Sequence, residues 1–550
     1  MTALSRRTLL AAGAAVGAAG AVATARAAAA APVGATVPSG PLRTDPFTLG
    51  VASGDPDADG FVLWTRLAPR PLAEDGCGGM PDRVVEVEWQ VAADERFRHV
   101  LRRGVTAARP ESAHSVHVEL AGLLPGREYF YRFRAEGFVS PVGRTRTAPP
   151  PWALGGALAM AFASCAQYEH GYFTAYRRLA EDEPDLVLHL GDYQYEYARN
   201  TYVIPGGNPR DHEGPETVTL ANYRQRHAQY KTDPDLQAAH AVAPWLVVFD
   251  DHEVENNWAD EVPEQPDPHF PARRAAAFRA YYENMPLRRT SIPRGIDMQL
   301  YRRLHWGRLA TFHMLDTRQY RDDQACGDGY RNCPAAADPT RSITGAEQEA
   351  WLLDGFRRSR ARWDILGQQV FFGQRDSDAG PATVVSMDAW DGYAASRDRI
   401  TRGWLAAGVR NPVVLTGDVH AHWADDLKLD WNDPTSRTVG TELVCSSITS
   451  GGNGADSTGH PWFGANPHLR FYNNQRGYVR TRITPGQLAA DFRVVPQVTA
   501  PGAPVHTRAS FVIEDRVPGL HRTYDRPLDP ALRAAPSDGP ATIHDETTRP

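Results

Sequence analysis

The sequence predicts an α/β protein of layered β-sheets flanked by helices, standing behind a small all-β sandwich. Three observations predict it. Up to about Ala148 the chain reads as short strands and turns. After the Pro-rich stretch TAPPPWALGG, Thr147–Gly156, apolar strands alternate with helical segments. Four of those apolar strands run directly into clusters of Cys, Asp, Tyr and His.

The amino terminus comes first. Residues 1–31 begin with basic Arg6-Arg7 after Ser5, continue into a run of Ala and Gly, and offer small residues for cleavage near Ala25-Arg26-Ala27. This pattern resembles a twin-arginine export signal. The resemblance implies passage of a folded chain through the twin-arginine translocase to a secreted, periplasmic or cell-wall-associated location. The alternative is an uncleaved anchor, although the apolar run is short and weakly hydrophobic. No later stretch reads as a membrane span.

Composition then limits the partners. Of 550 residues, 42% are hydrophobic and 9% aromatic, enough for a large core. A net charge of −7 is small for this length and makes no case for nucleic acid or an anionic membrane. Lys231 and Lys428 are the only lysines; arginine carries nearly all the positive charge.

Residues 45–150 form the expected β-sandwich domain. FVLWTRL, 61–67, and VVEVEWQVA, 84–92, read as strands. Val116, Val118 and Leu120 alternate, a Pro125-Gly126 turn follows, and Tyr129, Tyr131 and Phe133 alternate, which predicts a hairpin. The Leu-x-Pro-Gly-x-x-Tyr-x-Tyr pattern resembles a fibronectin type III sandwich.

Residues 155–526 form the expected catalytic domain, and 527–550 a tail. Strands are predicted at 158–164, 185–192, 245–251, 363–372 and 411–423, and helices at 172–181 and from Leu220 to about His240. A further helix is predicted from Thr344, opened by a capping box with Glu347. Cys326 and Cys333 bracket a Gly-rich loop short enough to close as a disulfide. Cys165 stands apart, at the end of an apolar strand.

The chemistry gathers at strand ends: Cys165; Asp192 with Tyr195; Asp250, Asp251 and His252; Asp418, His420 and His422. In α/β sheets ligands bind at the carboxyl ends of strands. Carboxylate, phenolate, thiolate and imidazole together suit a dinuclear metal site. The acids of FDDHEVENNW repel one another unless a cation answers them.

The ordered motifs SC, GDYQYE, DDHEVENNW, DAWDGY, GDVHAHW and SSITSGG resemble the alkaline phosphatase D (PhoD) family of the calcineurin-like metallophosphoesterases, over about Asp45 to Arg526. Asp251 stands where the wider superfamily has Asn, and Asp418 departs from its usual Gly-His pairing. The resemblance implies a metallophosphoesterase-type layered sandwich. It implies a metal-dependent alkaline phosphatase that releases phosphate from monoesters, and also diesters, through a metal-activated hydroxide. A phospholipase D-type phosphodiesterase on the same site is the alternative. The cofactors implied are ferric iron with one or two calcium ions. By position, Cys165, Asp192, Tyr195 and His422 would hold iron, with Asp192 bridging. Asp251 and His420 would hold the second metal, with Asp250 and Asp418 either further ligands or helpers that orient a neighbour. His252 would serve as acid or transition-state stabiliser. Asn256 and Asn257 would bind phosphate oxygens or cap a turn. The substrates implied are small phosphate esters, with phospholipids or polymer diesters as the alternative.

Overall fold

Two sets of parallel strands position everything that follows. The structure is a computed structural model and describes residues 40–457 and 459–527; the expected export signal and nearly all of the tail lie outside them. In a ten-stranded sheet, Leu158–Ala163, Leu186–His189, Pro244–Val247 and Val51–Gly54 run parallel to one another. In a seven-stranded sheet, Ala310–Met314, Trp363–Gly367, Pro412–Thr416 and Thr438–Val444 do the same. The central strands are buried along nearly their whole length, as parallel strands covered on both faces must be. A parallel bridge from Ser164 to Ser447 joins the two sets at their carboxyl ends.

The core between the sheets packs Phe162, Leu188 and Leu246 with Leu415, Leu443 and Phe492. A second cluster, with Leu352, Phe356, Ile400 and Trp404, lies under the helices Gly345–Arg358 and Ala394–Ala406. This is the expected layered α/β fold. Among the described residues no helix is long and apolar enough to cross a membrane.

The amino-terminal strands divide between two sheets. Val51–Gly54, Phe61–Arg66 and Ser115–Leu120 extend the ten-stranded sheet, and Ser53 is in register with Pro244. Val85–Ala92, Val100–Ala108, Glu128–Ala135, Phe138–Val139 and Gly143–Arg146 form a separate five-stranded sheet. The expected hairpin is therefore not one: its two strands lie in different layers. Their apolar faces meet across the sandwich core, where Val116, Val118 and Leu120 share one cluster with Tyr129, Tyr131 and Phe133. Alternation fixes which face is buried but not which edge is paired. Tyr129 Oη bonds back to the backbone of Leu124, the corner tyrosine of such sandwiches.

Three other expectations change in detail. The helix predicted from Leu220 to His240 is two helices, Leu220–Lys231 and Pro234–Val242, because Pro234 cannot continue the first and Asp233 caps the second. The helix after Thr344 forms, but Thr344 makes no side-chain cap. The single strand read over 411–423 is two strands, Pro412–Thr416 and His422–Lys428, separated by a loop that carries Asp418 and His420.

Candidate metal centre

Each chemistry-bearing segment leaves a parallel strand at its carboxyl end and turns sharply. Cys165, Asp192, Asn257, Asp418 and His420 all have left-handed backbones, with φ between 48° and 63°. Such conformations cost about 1–3 kcal/mol each and persist where surrounding structure enforces them. Gly191, with φ of 112°, permits the closest approach: a Cβ there would sit 2.4 Å from the Cβ of Asp250. The Gly-Asp motif thus brings Asp192 against the Asp250-Asp251 turn.

Two groups of donors converge. Cys165, Asp192 and His420 place ligand atoms within 4.8 Å of one another, as do Asp192, Asp251 and His252, so Asp192 is common to both. Tyr195 joins the first group. Its hydroxyl donates to Asp192 Oδ2 at 2.9 Å and lies 3.1 Å from His420 Nε2 and 2.7 Å from Ser450 Oγ. The Tyr195 ring stacks on His252, 4.1 Å between centroids. Cys165 is a free, buried thiol, and the disulfide joins Cys326 to Cys333. The Cys165 carbonyl accepts the backbone N–H of Ile448 and the hydroxyl of Ser450, so the SSITSGG segment holds this turn in place.

The crowded acids have different partners. Asp250 Oδ1 accepts from Arg318 Nε at 2.5 Å. Glu253 points away from the donor groups and accepts three backbone N–H groups, from Asp192 at 3.0 Å, Tyr193 at 2.7 Å and Asp250 at 2.9 Å. Glu253 therefore clamps the GDY turn to the DDH turn. Asp251 alone of these acids faces the donor groups, with its Oδ2 accepting from the Asn257 backbone at 2.8 Å. Glu196 holds His252 through Nδ1 at 2.8 Å and accepts from the Asn256 backbone at 2.9 Å.

Charge follows from these contacts. Burial lifts the Asp192 carboxyl well above the usual range, against the pull of His252, and Asp250 is pushed up to about 7 despite Arg318. Burial also acts against ionised Asp251, but Arg318 and His252 outweigh it and hold that carboxyl below the ordinary range. Burial disfavours a charged His252, yet Glu196 and Asp251 outweigh it and hold the imidazole protonated well above its ordinary value.

Some predicted residues have neighbours other than those expected. His420, not His422, stands beside Cys165, Asp192 and Tyr195. His422 has already entered its strand: its Nδ1 accepts from the Ser446 backbone at 3.0 Å, and its ring packs edge-on against Phe492. With Nδ1 accepting, the neutral ring carries its proton on Nε2. His420 lies on left-handed loop backbone and His422 opens the strand, so two histidines that sequence spacing places together face different neighbours. Asn256 and Asn257 each donate a side-chain N–H to an acid of the protein, Glu264 at 2.8 Å and Asp328 at 2.7 Å. Asp418, 26% exposed, lies 3.9 Å from Arg318 Nη2.

Sequence reasoning missed Glu196, Glu253, Arg318 and the pairing of Asp388 with Arg318 and Arg321. For Glu253 and Asp388 the motif was in view and only the direction of the side chain was not. Arg318 follows the strand Ala310–Met314, whose end carries no ligand-type cluster to mark it.

The residues fit bound cations. Asp192 Oδ1, Asp250 Oδ2 and Asp251 Oδ1 are buried with no hydrogen-bond partner among the described residues. Buried carboxylate oxygens without partners are costly unless a cation meets them. Thiol, phenol and imidazole beside them suit a trivalent or transition metal, and carboxylates alone suit a hard divalent ion.

A layered α/β sandwich whose donors converge at the carboxyl ends of both parallel strand sets defines a metallophosphoesterase-like protein. The chain belongs to the PhoD-like phosphatase family. The family model for the PhoD-like phosphatase matches residues 160–492, and that for the PhoD-like phosphatase N-terminal domain matches residues 31–149. Alkaline phosphatase D of Bacillus subtilis (strain 168) is 52% identical over 482 residues, covering 87% of this chain and 82% of that protein. The solved structure of PhoD superposes with a TM-score of 0.86 at 51% identity, covering 88% of this chain and 93% of that one. The protein is a phosphoric ester hydrolase.

Proposed function

We propose that this phosphatase is a metal-dependent alkaline phosphatase acting outside the cytoplasm on phosphate monoesters, and also on diesters. The observation that carries the reading is the convergence, at the carboxyl ends of both strand sets, of a free thiol, a tyrosine hydroxyl and two imidazoles with three carboxylate oxygens that have no hydrogen-bond partner among the described residues. Cys165, Asp192, Tyr195 and His420 would hold ferric iron; Asp192, Asp251 and Asp418 would hold calcium, with Asp250 beside them. When bound, such ions polarise phosphate oxygens and acidify water.

The chain's own residues do the rest. His252 protonates the leaving oxygen. Glu196 on Nδ1 supports this role, as does its place beside Asp192 and Asp251. Asn256 and Asn257 act through their backbone N–H groups, which orient Glu196 and Asp251. Residues 1–31 direct export through the twin-arginine route; Arg6 and Arg7 replaced by lysine should keep active enzyme inside the cell.

The test is elemental analysis of chelator-free protein, with kinetics on a nitrophenyl monoester, an alkyl monoester, a diester and a phospholipid. Iron and calcium, with the highest kcat/KM on monoesters, are expected. Full activity of metal-free protein would end the reading, and a preference for phospholipid would move it to a phospholipase D-type diesterase. His252→Ala should lower kcat by about 10²–10⁴-fold on the alkyl ester and by less on the nitrophenyl ester, whose leaving group needs no acid.

A further inference from the structure

Five carboxylates, Asp192, Asp250, Asp251, Asp388 and Asp418, gather around the site, and two guanidinium groups, Arg318 and Arg321, face them. Arg318 is fully buried and sits among four of the five acids. Its Nε donates to Asp250 at 2.5 Å, and its Nη1 donates to Asp388 at 2.9 Å. Its Nη2 has no hydrogen-bond partner among the described residues and stands 3.7 Å from Asp251 Oδ1 and 3.9 Å from Asp418 Oδ1. Two acids are thus held by direct hydrogen bonds. Two others are faced across gaps too long for one.

We infer that Arg318 is a positioning residue that stands in for a cation: it fixes Asp250 and Asp388 in the protein and leaves Asp251 and Asp418 their lone pairs for a bound metal. This rests on the metal reading of the preceding subsection. The physical reason is the fork of the guanidinium, which engages two acids at fixed angles and cannot be deprotonated. A metal ion in its place would be free to draw in all four carboxylates. Arg318 therefore sets both the number of divalent ions and the identity of their ligands. Arg321 and Gln324 reinforce the division by donating to Asp388 at 2.6 Å and 3.1 Å.

The experiment compares calcium uptake by the parent, Arg318→Gln and Arg318→Lys. Equilibrium dialysis counts calcium, elemental analysis counts iron, and circular dichroism checks the fold. Arg318→Gln should bind one more calcium per chain than the parent, with iron unchanged. Adding Asp388→Asn to that variant should abolish the gain. Arg318→Lys keeps a charge but loses the fork, so it should keep the parental stoichiometry with calcium bound about 10-fold more weakly. A folded Arg318→Gln that takes up no more calcium than the parent overturns the inference. If Arg318→Gln does not fold, Arg318→Lys decides: unchanged calcium affinity overturns the inference and weakened affinity supports it. A parent that binds no calcium defeats the metal reading, while the difference between variant and parent still judges Arg318.

Discussion

Asp192 and Tyr193 are neighbours in the chain, yet they face two buried nests of titratable side chains that have settled their charge in opposite ways. The front nest is acidic and holds carboxylate oxygens with no hydrogen-bond partner among the described residues. The rear nest is basic. There Tyr193 Oη lies 2.8 Å from His240 Nε2, and Lys231 Nζ lies 3.3 Å from the same nitrogen and 4.3 Å from the Trp64 ring. His189 reaches Tyr176 at 2.8 Å, and neither ring nitrogen of His227 has a hydrogen-bond partner among the described residues. Burial lowers the pKa of His189 to about 3 and those of His227, His240 and Lys231 well below their ordinary values. The rear nest becomes neutral by releasing protons and packs against aromatic rings, including His240 on Trp245 at 3.9 Å. The front nest packs against polar groups on strained backbone, and on the proposed reading a bound cation answers its charge. Equal burial therefore does not imply equal purpose; what decides is whether the groups can be neutral without leaving donors or acceptors aimed at one point.

The largest break in this contrast is Asp192→Asn, which removes the carboxylate shared by both donor groups. Turnover should fall by roughly a thousandfold or more, about 4 kcal/mol of transition-state stabilisation, with loss of both metals in elemental analysis. Retained metals and turnover would show that Asp192 bridges nothing.

Glu253→Gln tests the seam between the nests. An amide cannot accept all three backbone N–H groups that Glu253 now accepts, so the GDY and DDH turns should loosen. Metal affinity by chelator competition should drop by about 10–100-fold, while kcat at saturating metal stays near the parental value. A fall in kcat alone would move Glu253 from positioning to chemistry.

Removing the metal separates the nests by pH. In the cation-free protein Asp250 and Glu253 have pKa values raised to about 7 and about 8, so the folded state binds more protons than the unfolded. Their contribution is lost as pH rises through those values. The drop in thermal midpoint caused by chelation should therefore grow between pH 5 and pH 8, and added calcium should reverse it. A chelation effect independent of pH would contradict the assignment.

The smallest effect belongs to the rear nest. Its histidines have lowered pKa values, so the unfolded chain takes up protons that the folded chain refuses. Their contribution is complete above the unfolded histidine value near 6.5 and is lost as pH falls toward the folded values. His227→Phe should flatten the fall in thermal midpoint between pH 7 and pH 5 by a few degrees without changing metal content. An unchanged slope would mean that His227 is already charged in the folded state.

Much of this site was legible in order along the chain. Strand ends at Cys165, Asp192 and Asp250 announced themselves because an apolar run must stop where polar groups gather. Roles were less legible. Asp250, Asp251 and Glu253 are equivalent as letters, and only Asp251 meets the donors, because the turn after Pro244–Val247 sends successive side chains in different directions. His420 took the neighbours expected of His422, and His422 turned to Ser446 and Phe492, because the strand His422–Lys428 begins between them.

By itself, the sequence determined the layered α/β architecture, the order of the site segments, the free thiol at Cys165 and the Cys326–Cys333 pair, since periodicity and local spacing act over a few residues. The tertiary structure alone decided that strands 51–66 and 115–120 complete the catalytic sheet, that Glu253 clamps two turns, and that Arg318 divides the acids. Those are pairings between segments tens to hundreds of residues apart. Local pattern fixes which face of an element is buried, but the partner across the gap is fixed only when packing brings the two together.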